Sequence, residues 1–302
     1  MDLFCCGMYR SCSTWQYEVA LEVLSHCTQR TVQPLGYLTG PEYARIEKAH
    51  RFEGQARVFK GHEGHPAYTR AMFRGKAIGL YAHRDIRDVI YSLMHKRNQS
   101  FQEIVRTGMI HQILVNDRFW RAHPQVLVQR YDDIMAQPAE AIIEIAEFLQ
   151  VRLPIDTARK IADAYSKEAN LSRTAMLRGM LADKGTDLAD SGNAQLYDPT
   201  TLLHWNHIRP VAESWRERAM PQERMIMQKM LGAWLSENGY AEDYFEDLKN
   251  NLAPTKSWRI DAAQGLLRCH SRELSARYDR IARPIKRFLG LGQGESRSRP
   301  AA

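Results

Sequence analysis

The sequence predicts an α/β domain built on a central parallel sheet with helices on both faces, continued by a helical extension at the C-terminus. Three observations carry this expectation. Four near-continuous apolar runs alternate with stretches of helical periodicity, the pattern of strands buried on both faces. Polar residues gather where each run ends, which is where open α/β sheets bind their ligands. The chain has 302 residues, 44% hydrophobic and 25% charged, with a mean hydropathy of -0.48. That composition suits a soluble domain with a sizeable core, and no apolar run approaches the roughly 18 residues of a membrane-spanning helix.

The first run, Met1-Asp2-Leu3-Phe4-Cys5-Cys6, lacks the basic and small-residue flanks of a signal peptide and reads as a strand starting almost at residue 1. A small polar loop follows, from Gly7 to Thr14, and then Trp15, Val19, Ala20, Val23 and Leu24 recur at helical spacing. The second run, Arg57-Val58-Phe59-Lys60, ends in Gly61-His62-Glu63-Gly64-His65. The third, from Ala77 to Ala82, stops at His83-Arg84-Asp85 before helical spacing resumes with Val89, Leu93 and Met94. The fourth, from Val126 to Gln129, ends at Arg130-Tyr131-Asp132-Asp133. Pro138 opens a helix through Ile142, Ile145, Ala146 and Leu149, and Pro221 opens another that closes at Asn238-Gly239. Residues 166 to 203 have a weak pattern with several breakers and read as a lid or binding loop.

Charge divides the chain at about residue 250. Residues 251–302 hold eleven Lys and Arg against four acids, so the formal net charge of +7 belongs to the tail and the first 250 residues balance. A nucleic-acid-binding domain would carry its own basic face, so that class loses support. Five cysteines, Cys5, Cys6, Cys12, Cys27 and Cys269, are odd in number and without paired spacing beyond the vicinal pair. Neither a disulfide framework nor a four-ligand zinc site is expected, and a reducing, cytoplasmic setting fits.

The loop between the first strand and helix is a generic anion site, because free backbone N–H groups and the helix dipole converge there. It lacks the Gly-Lys-Ser/Thr of a Walker A loop, which counts against ATP hydrolysis and nucleotide-kinase chemistry. Read with three later segments, it resembles the loop of sulfotransferases that use 3′-phosphoadenosine 5′-phosphosulfate (PAPS). Arg10-Ser11-Cys12-Ser13-Thr14-Trp15 stands where that family has Lys-Ser-Gly-Thr-Thr-Trp. Ser11, Thr14 and Trp15 match, Ser13 is conservative, and Arg10 and Cys12 depart. Lys60-Gly61-His62 is similar to the family's Lys-x-His. Arg84-Asp85-Ile86-Arg87-Asp88-Val89-Ile90-Tyr91-Ser92 is similar to its Arg-Asp-Pro-Arg-Asp-x-x-x-Ser, and Tyr131-Asp132-Asp133 to its Tyr-Glu-Asp. The four motifs occur in order, each at a strand end, over about residues 1 to 250.

The resemblance implies a P-loop-like sulfotransferase fold over 1–250, a PAPS donor, no metal and a hydroxyl-bearing acceptor, whether glycan, lipid or small molecule. It implies that Arg10, Ser11, Cys12, Ser13, Thr14 and Trp15 hold the 5′-phosphosulfate and adenine, with the Ser11, Ser13 and Thr14 hydroxyls donating. Arg84 and Ser92 would hold the 3′-phosphate, Tyr131 the adenine edge, and Arg209 a further 3′-phosphate contact. His62 is the candidate base, with Glu63 and His65 as rivals, and Lys60 and Arg10 would stabilise the transferring group. Plainer roles stand beside these: a helix cap for Ser13 or Thr14, and an ion pair with Asp85 or Asp88 for Arg84. The second functional reading is a non-catalytic nucleotide-binding or scaffolding protein of the same fold.

The tail, 251–302, is expected to form a basic amphipathic helix. Leu267, Leu274, Tyr278, Ile281, Ile285 and Phe288 lie on one side, with a kink at Pro284 and a disordered end from Gly290. Such a helix suits peripheral attachment to an anionic membrane surface, an acidic partner, or simple packing on the domain.

Overall fold

The computed structural model of the protein describes residues 1–27, 31–49, 55–190, 193, 196–206, 214–240 and 257–271. In chain order the elements are β1 (Asp2–Gly7), α1 (Ser13–Ser25), β2 (Thr31–Tyr37), α2 (Gly40–Ala49), β3 (Gln55–Gly61), α3 (Pro66–Phe73), β4 (Ala77–His83), α4 (Ile86–Arg97), α5 (Phe101–Arg106), α6 (Met109–Arg121) and β5 (Val126–Arg130). Helices α7 (Tyr131–Ala136), α8 (Pro138–Phe148), α9 (Ile155–Ala164), α10 (Lys167–Asp183), α11 (Trp215–Arg218) and α12 (Pro221–Glu237) follow. Residues 257–271 are also helical. No helix among the described residues is long and apolar enough to cross a membrane.

The strands form one parallel sheet in the order β2-β3-β1-β4-β5. β1 is its centre, and every residue of it is buried. Alternation along β1 feeds two separate cores. Leu3 and Cys5 join Val58, Leu80, Val23 and Ile142 on one face, whereas Phe4 and Cys6 join Phe59, Tyr68, Tyr81 and Trp120 on the other. Apolar side chains on both faces explain why the central strands read as runs rather than as alternation. Polar Asp2 is also fully buried, and it is satisfied there: Arg57 donates from Nε and Nη2 at 2.8 Å each, and the Tyr43 hydroxyl at 2.7 Å. The chain builds one flank of the sheet with β2 and β3 and the other with β4 and β5. The crevice where connections diverge therefore lies beyond the ends of β1 and β4.

Two expectations about elements need correction. The sheet has five strands rather than four, because β2 is an edge strand, mostly exposed, whose Thr31-Val32-Gln33-Pro34-Leu35-Gly36-Tyr37 forms no apolar run. Residues 166–203 are not simply a loop: the 17-residue α10 occupies their first half. It buries only Asn170 and Thr174 among its own residues, so it presents no apolar stripe.

The tail also differs in which side packs. Leu267, placed by its spacing on the apolar side, is 66% exposed, while Asp261 and Cys269 are buried and Ala262 packs on the core beside Trp258. The segment starts earlier than expected and lies across α5 and the start of α6. A Cβ on Gly265 would stand 2.2 Å from the Val105 carbonyl oxygen, and Gly108, at φ +76°, faces it across the contact. Gln102 donates to Asp261 Oδ2 at 2.7 Å, and Arg268 donates to the Arg106 carbonyl at 3.1 Å. Tyr278, Ile281, Pro284, Ile285, Phe288 and the end from Gly290 lie outside the described residues, as does Leu274. A Gly265→Leu substitution should force this backbone contact apart and destabilise the protein by about 1–3 kcal/mol. The fall in urea midpoint relative to an exposed control such as Leu267→Ala measures it.

Candidate functional site

The site begins where β1 runs out. A Cβ on Gly7 would lie 2.9 Å from the Ser13 Cβ, so glycine lets the start of α1 return against the strand end. Between them, Arg10 and Cys12 both take left-handed backbone, with φ of 63° and 71°, a conformation unusual for side-chain-bearing residues. The fully buried Ser11 sits between them, its hydroxyl within 2.8 Å of the Ala82 carbonyl and also directed at the Met8 carbonyl. The Ser11 hydroxyl, expected to donate to a bound anion, thus donates within the protein here, so its role is split between tying the loop and meeting a ligand.

Ser13 and Thr14 lie inside the first turn of α1 rather than at its cap, and Cys12 at the N-cap makes no side-chain hydrogen bond. The helix therefore starts with uncapped N–H groups, the arrangement that attracts anions. The buried Thr14 Oγ1 has no hydrogen-bond partner among the described residues.

Two cavities meet at this loop, and Arg10 and Cys12 line both. The first brings together Thr14, Trp15, Arg84, Ser92 and Tyr131, five residues from three of the four chain segments that the sequence singled out. Arg10 Nε donates to Ser92 Oγ at 2.9 Å. The Arg84 guanidinium lies 4.3 Å over the Tyr131 ring. Its ion pair with Asp88 is long, at 3.4 Å, and Arg84 Nε is buried without a hydrogen-bond partner among the described residues. Asp85 is engaged elsewhere: it caps α4 and pairs with Arg87 at 2.7 Å. The unpartnered Thr14 hydroxyl and Arg84 nitrogen, with the open helix end, give this cavity the donor set that a nucleotide phosphate requires.

The second cavity, about 400 Å³, is lined by Ser11, Ser13, Lys60 and His62. His62 Nδ1 lies 2.7 Å from the Gly7 carbonyl oxygen. A carbonyl only accepts, so Nδ1 carries the proton and Nε2 is left as an acceptor. Tyr9 packs on the imidazole at 4.7 Å, and Trp120 Nε1 donates to the His62 carbonyl at 3.0 Å. Burial, reinforced by the Lys60 charge, pushes the imidazole down to about 3, so His62 is neutral at physiological pH. Burial also lowers the Lys60 ammonium to about 8, with Arg10 adding repulsion.

The two rivals of His62 are placed differently. His65 Nδ1 accepts from the Ala67 N–H at 3.2 Å as the cap of α3, and its ring packs against Gly40 rather than lining either cavity. Glu63 lines the second cavity but is exposed, and it accepts the Tyr9 hydroxyl at 3.2 Å. Arg209 lies outside the described residues.

Several lining residues escaped the sequence reading. Glu18 and Asn170 line the first cavity, where Arg173 on α10 pairs with Glu18 at 2.5 Å and so fixes α10 beside α1. Lys167 and Arg218 line it too. Lys96 and Arg97 line the second, and the signal for Lys96 was available: it follows Ser92 by one helical turn. Tyr37, Tyr197 and His204, also in the second cavity, come from an edge strand and a loop with no motif of their own.

A family model described as a sulfotransferase domain matches residues 1–181. No curated protein sequence matches the chain. Among solved structures, mouse sulfotransferase SULT7A1 complexed with PAP superposes with a TM-score of 0.54 at 15% identity, covering 80% of this chain and 85% of that one. A retinol dehydratase in complex with androsterone and the inactive cofactor PAP gives 0.53 at 15% identity, covering 82% and 83%. These likenesses show the fold.

If the Ser11 hydroxyl is a structural tie, Ser11→Ala should cost about 0.5–1.5 kcal/mol of stability by removing a buried hydrogen bond. Thermal denaturation of the free protein reads this. Loss of affinity for PAP, adenosine 3′,5′-bisphosphate, with stability intact would return the hydroxyl to the ligand.

Proposed function

Because this chain belongs to the sulfotransferase domain family, we propose that it transfers a sulfuryl group from PAPS to the hydroxyl of an acceptor, with His62 taking the acceptor's proton. The observation that carries this reading is the 2.7 Å contact between His62 Nδ1 and the Gly7 carbonyl. It fixes the tautomer in which Nε2 can accept a proton, on a ring held neutral beside the phosphate loop. In the reaction, the acceptor oxygen forms a bond to sulfur while the bond from sulfur to the 5′-phosphate oxygen breaks. The electron pair leaves with PAP, and the hydroxyl proton passes to His62 Nε2.

Arg10 and Lys60 supply positive charge where the leaving oxygen gains electrons. The guanidinium, charged at every physiological pH, works by charge alone, whereas Lys60, lowered to about 8, can give up a proton. The α1 N-terminus, Ser13 and Thr14 hold the 5′ end. Arg84 and Ser92 hold the 3′-phosphate, and Trp15 and Tyr131 contact the adenine.

His62→Ala should lower kcat by about 10² to 10⁴ with PAP affinity nearly unchanged. Full activity in that variant would move the role to Glu63. Arg84→Ala should weaken PAP by about 1.5–3 kcal/mol while barely affecting adenosine 5′-phosphosulfate, which lacks the 3′-phosphate; calorimetry on both ligands makes the comparison.

The pH profile follows from the two shifted groups. His62, lowered to about 3, stays unprotonated throughout the range in which an ordinary histidine would titrate, so kcat/KM for PAPS should show no acid limb near 6.5. Lys60 is charged below about 8 and loses its proton above it, so kcat/KM should fall as pH rises through that value. An acid limb at 6.5 would assign the base to a different group.

A further inference from the structure

The cavity around His62 holds more positive charge than the transferring group requires. Arg10 and Lys60 flank the loop, and Lys96 and Arg97 add two more cations from the end of α4. Helix α4 serves two chambers in succession: Ser92 lines the nucleotide cavity and not its neighbour, whereas Lys96 and Arg97 line the neighbour and not the nucleotide cavity. Neither Lys96 nor Arg97 has an ion-pair or hydrogen-bond partner among the described residues. Glu63, the carboxylate lining this cavity, is exposed and already accepts the Tyr9 hydroxyl at 3.2 Å. Lys96 is half-buried. Burial, with repulsion from Arg10, Lys60 and Arg97, lowers it to about 7. A half-buried cation among like charges is unfavourable in the free protein, and a bound anion would relieve it.

We infer that the acceptor is itself an anion: a hydroxyl compound carrying a carboxylate, sulfate or phosphate ester that Lys96 and Arg97 bind while its hydroxyl meets His62. The inference rests on the sulfuryl-transfer reading for the meaning of the cavity, but the anion site can be tested without turnover. Tyr9 and Tyr37 complete the walls, so a ring-bearing body between hydroxyl and anion suits the space.

The experiment is calorimetric titration of the full chain, saturated with PAP, with two matched pairs: 4-hydroxyphenylacetate against 4-hydroxyphenylacetamide, and methyl β-glucuronide against methyl β-glucoside. In at least one pair the anion should bind about tenfold or more tighter than its neutral twin. That preference should disappear in the Lys96→Gln/Arg97→Gln double variant while PAP affinity stays within about twofold, since neither residue lines the nucleotide cavity. Absence of charge preference in both pairs overturns the inference, and so does a preference that survives in the double variant, because Arg10 and Lys60 would then suffice. A loss of affinity in the variant for PAPS but not for PAP would assign the two cations to the transferring group and overturn it as well. Failure of the wild-type chain to bind PAP strikes at the proposed function instead, and the four titrations repeated without nucleotide still decide the anion site.

Discussion

The site depends on how the backbone is held between Gly7 and Ser13. Two residues with side chains, Arg10 and Cys12, sit in left-handed backbone, which costs on the order of 1–3 kcal/mol at each such position. Such a loop persists only where its surroundings over-determine it. Ser11 does so from within, its buried hydroxyl facing the Ala82 carbonyl at the end of β4, and the Met8 N–H donates to the same oxygen at 2.9 Å. Gly7 does so from below, since a side chain there would collide with Ser13. The loop is thereby fixed to the ends of the two strands between which the sheet's connections diverge, and the first turn of α1 is aimed at the same point.

That geometry also places the charges. Because the loop lies between the cavities, the Arg10 side chain reaches Ser92 in the first cavity while the same residue lines the chamber of His62. Lys60 and His62 arrive from the end of β3, adjacent to β1 in the sheet, so strand register sets their distance from the loop. Buried cations close together lower one another's affinity for protons. Lys60 and His62 are accordingly both shifted downward, with burial as the larger cause in each. The result is a lysine lowered to about 8 beside an imidazole that stays unprotonated at neutral pH, the pairing on which the proposed division between charge stabilisation and proton acceptance rests.

The parts legible in the sequence were those whose physical signature is local. Strands β1, β3 and β4 are almost wholly buried and so appear as apolar runs, edge strand β5 keeps an apolar run although only part-buried, and the motif residues at their ends, including Lys60, His62, Arg84 and Tyr131, gather at one end of the sheet as the parallel order requires. Features depending on distant partners left no local trace. Edge strand β2 is exposed and broken by Pro34 and Gly36, and α10 is positioned by Arg173 reaching Glu18 rather than by an apolar stripe. In the tail, Leu267 is the one residue of the expected apolar side that lies among the described residues and it is exposed, while packing over 257–271 follows the row Asp261, Gly265 and Cys269, small or polar residues that a hydropathy pattern passes over. The direction of the Ser11 hydroxyl is likewise set by a carbonyl 71 residues away.

Arg10 and Cys12 are the two places where the loop departs from the Lys-Ser-Gly-Thr-Thr-Trp pattern it otherwise resembles, and the geometry makes physical sense of both. Cys12 takes positive φ at the position where glycine would be unstrained. Its side chain packs at the margin of the core that contains Trp15 and Val23, so apolar contact offsets part of the backbone cost. Arg10 keeps the positive charge but, by bonding to Ser92 while lining both cavities, spans them in a way a single ammonium donor does less well, since guanidinium presents several N–H groups in one plane. An arginine there cannot transfer a proton at neutral pH. In the proposed reaction proton traffic is then left to His62 and Lys60, both moved out of their ordinary ranges by burial. The substitutions are therefore compatible with chemistry in which the loop supplies fixed charge and the β3 end supplies the titrating groups.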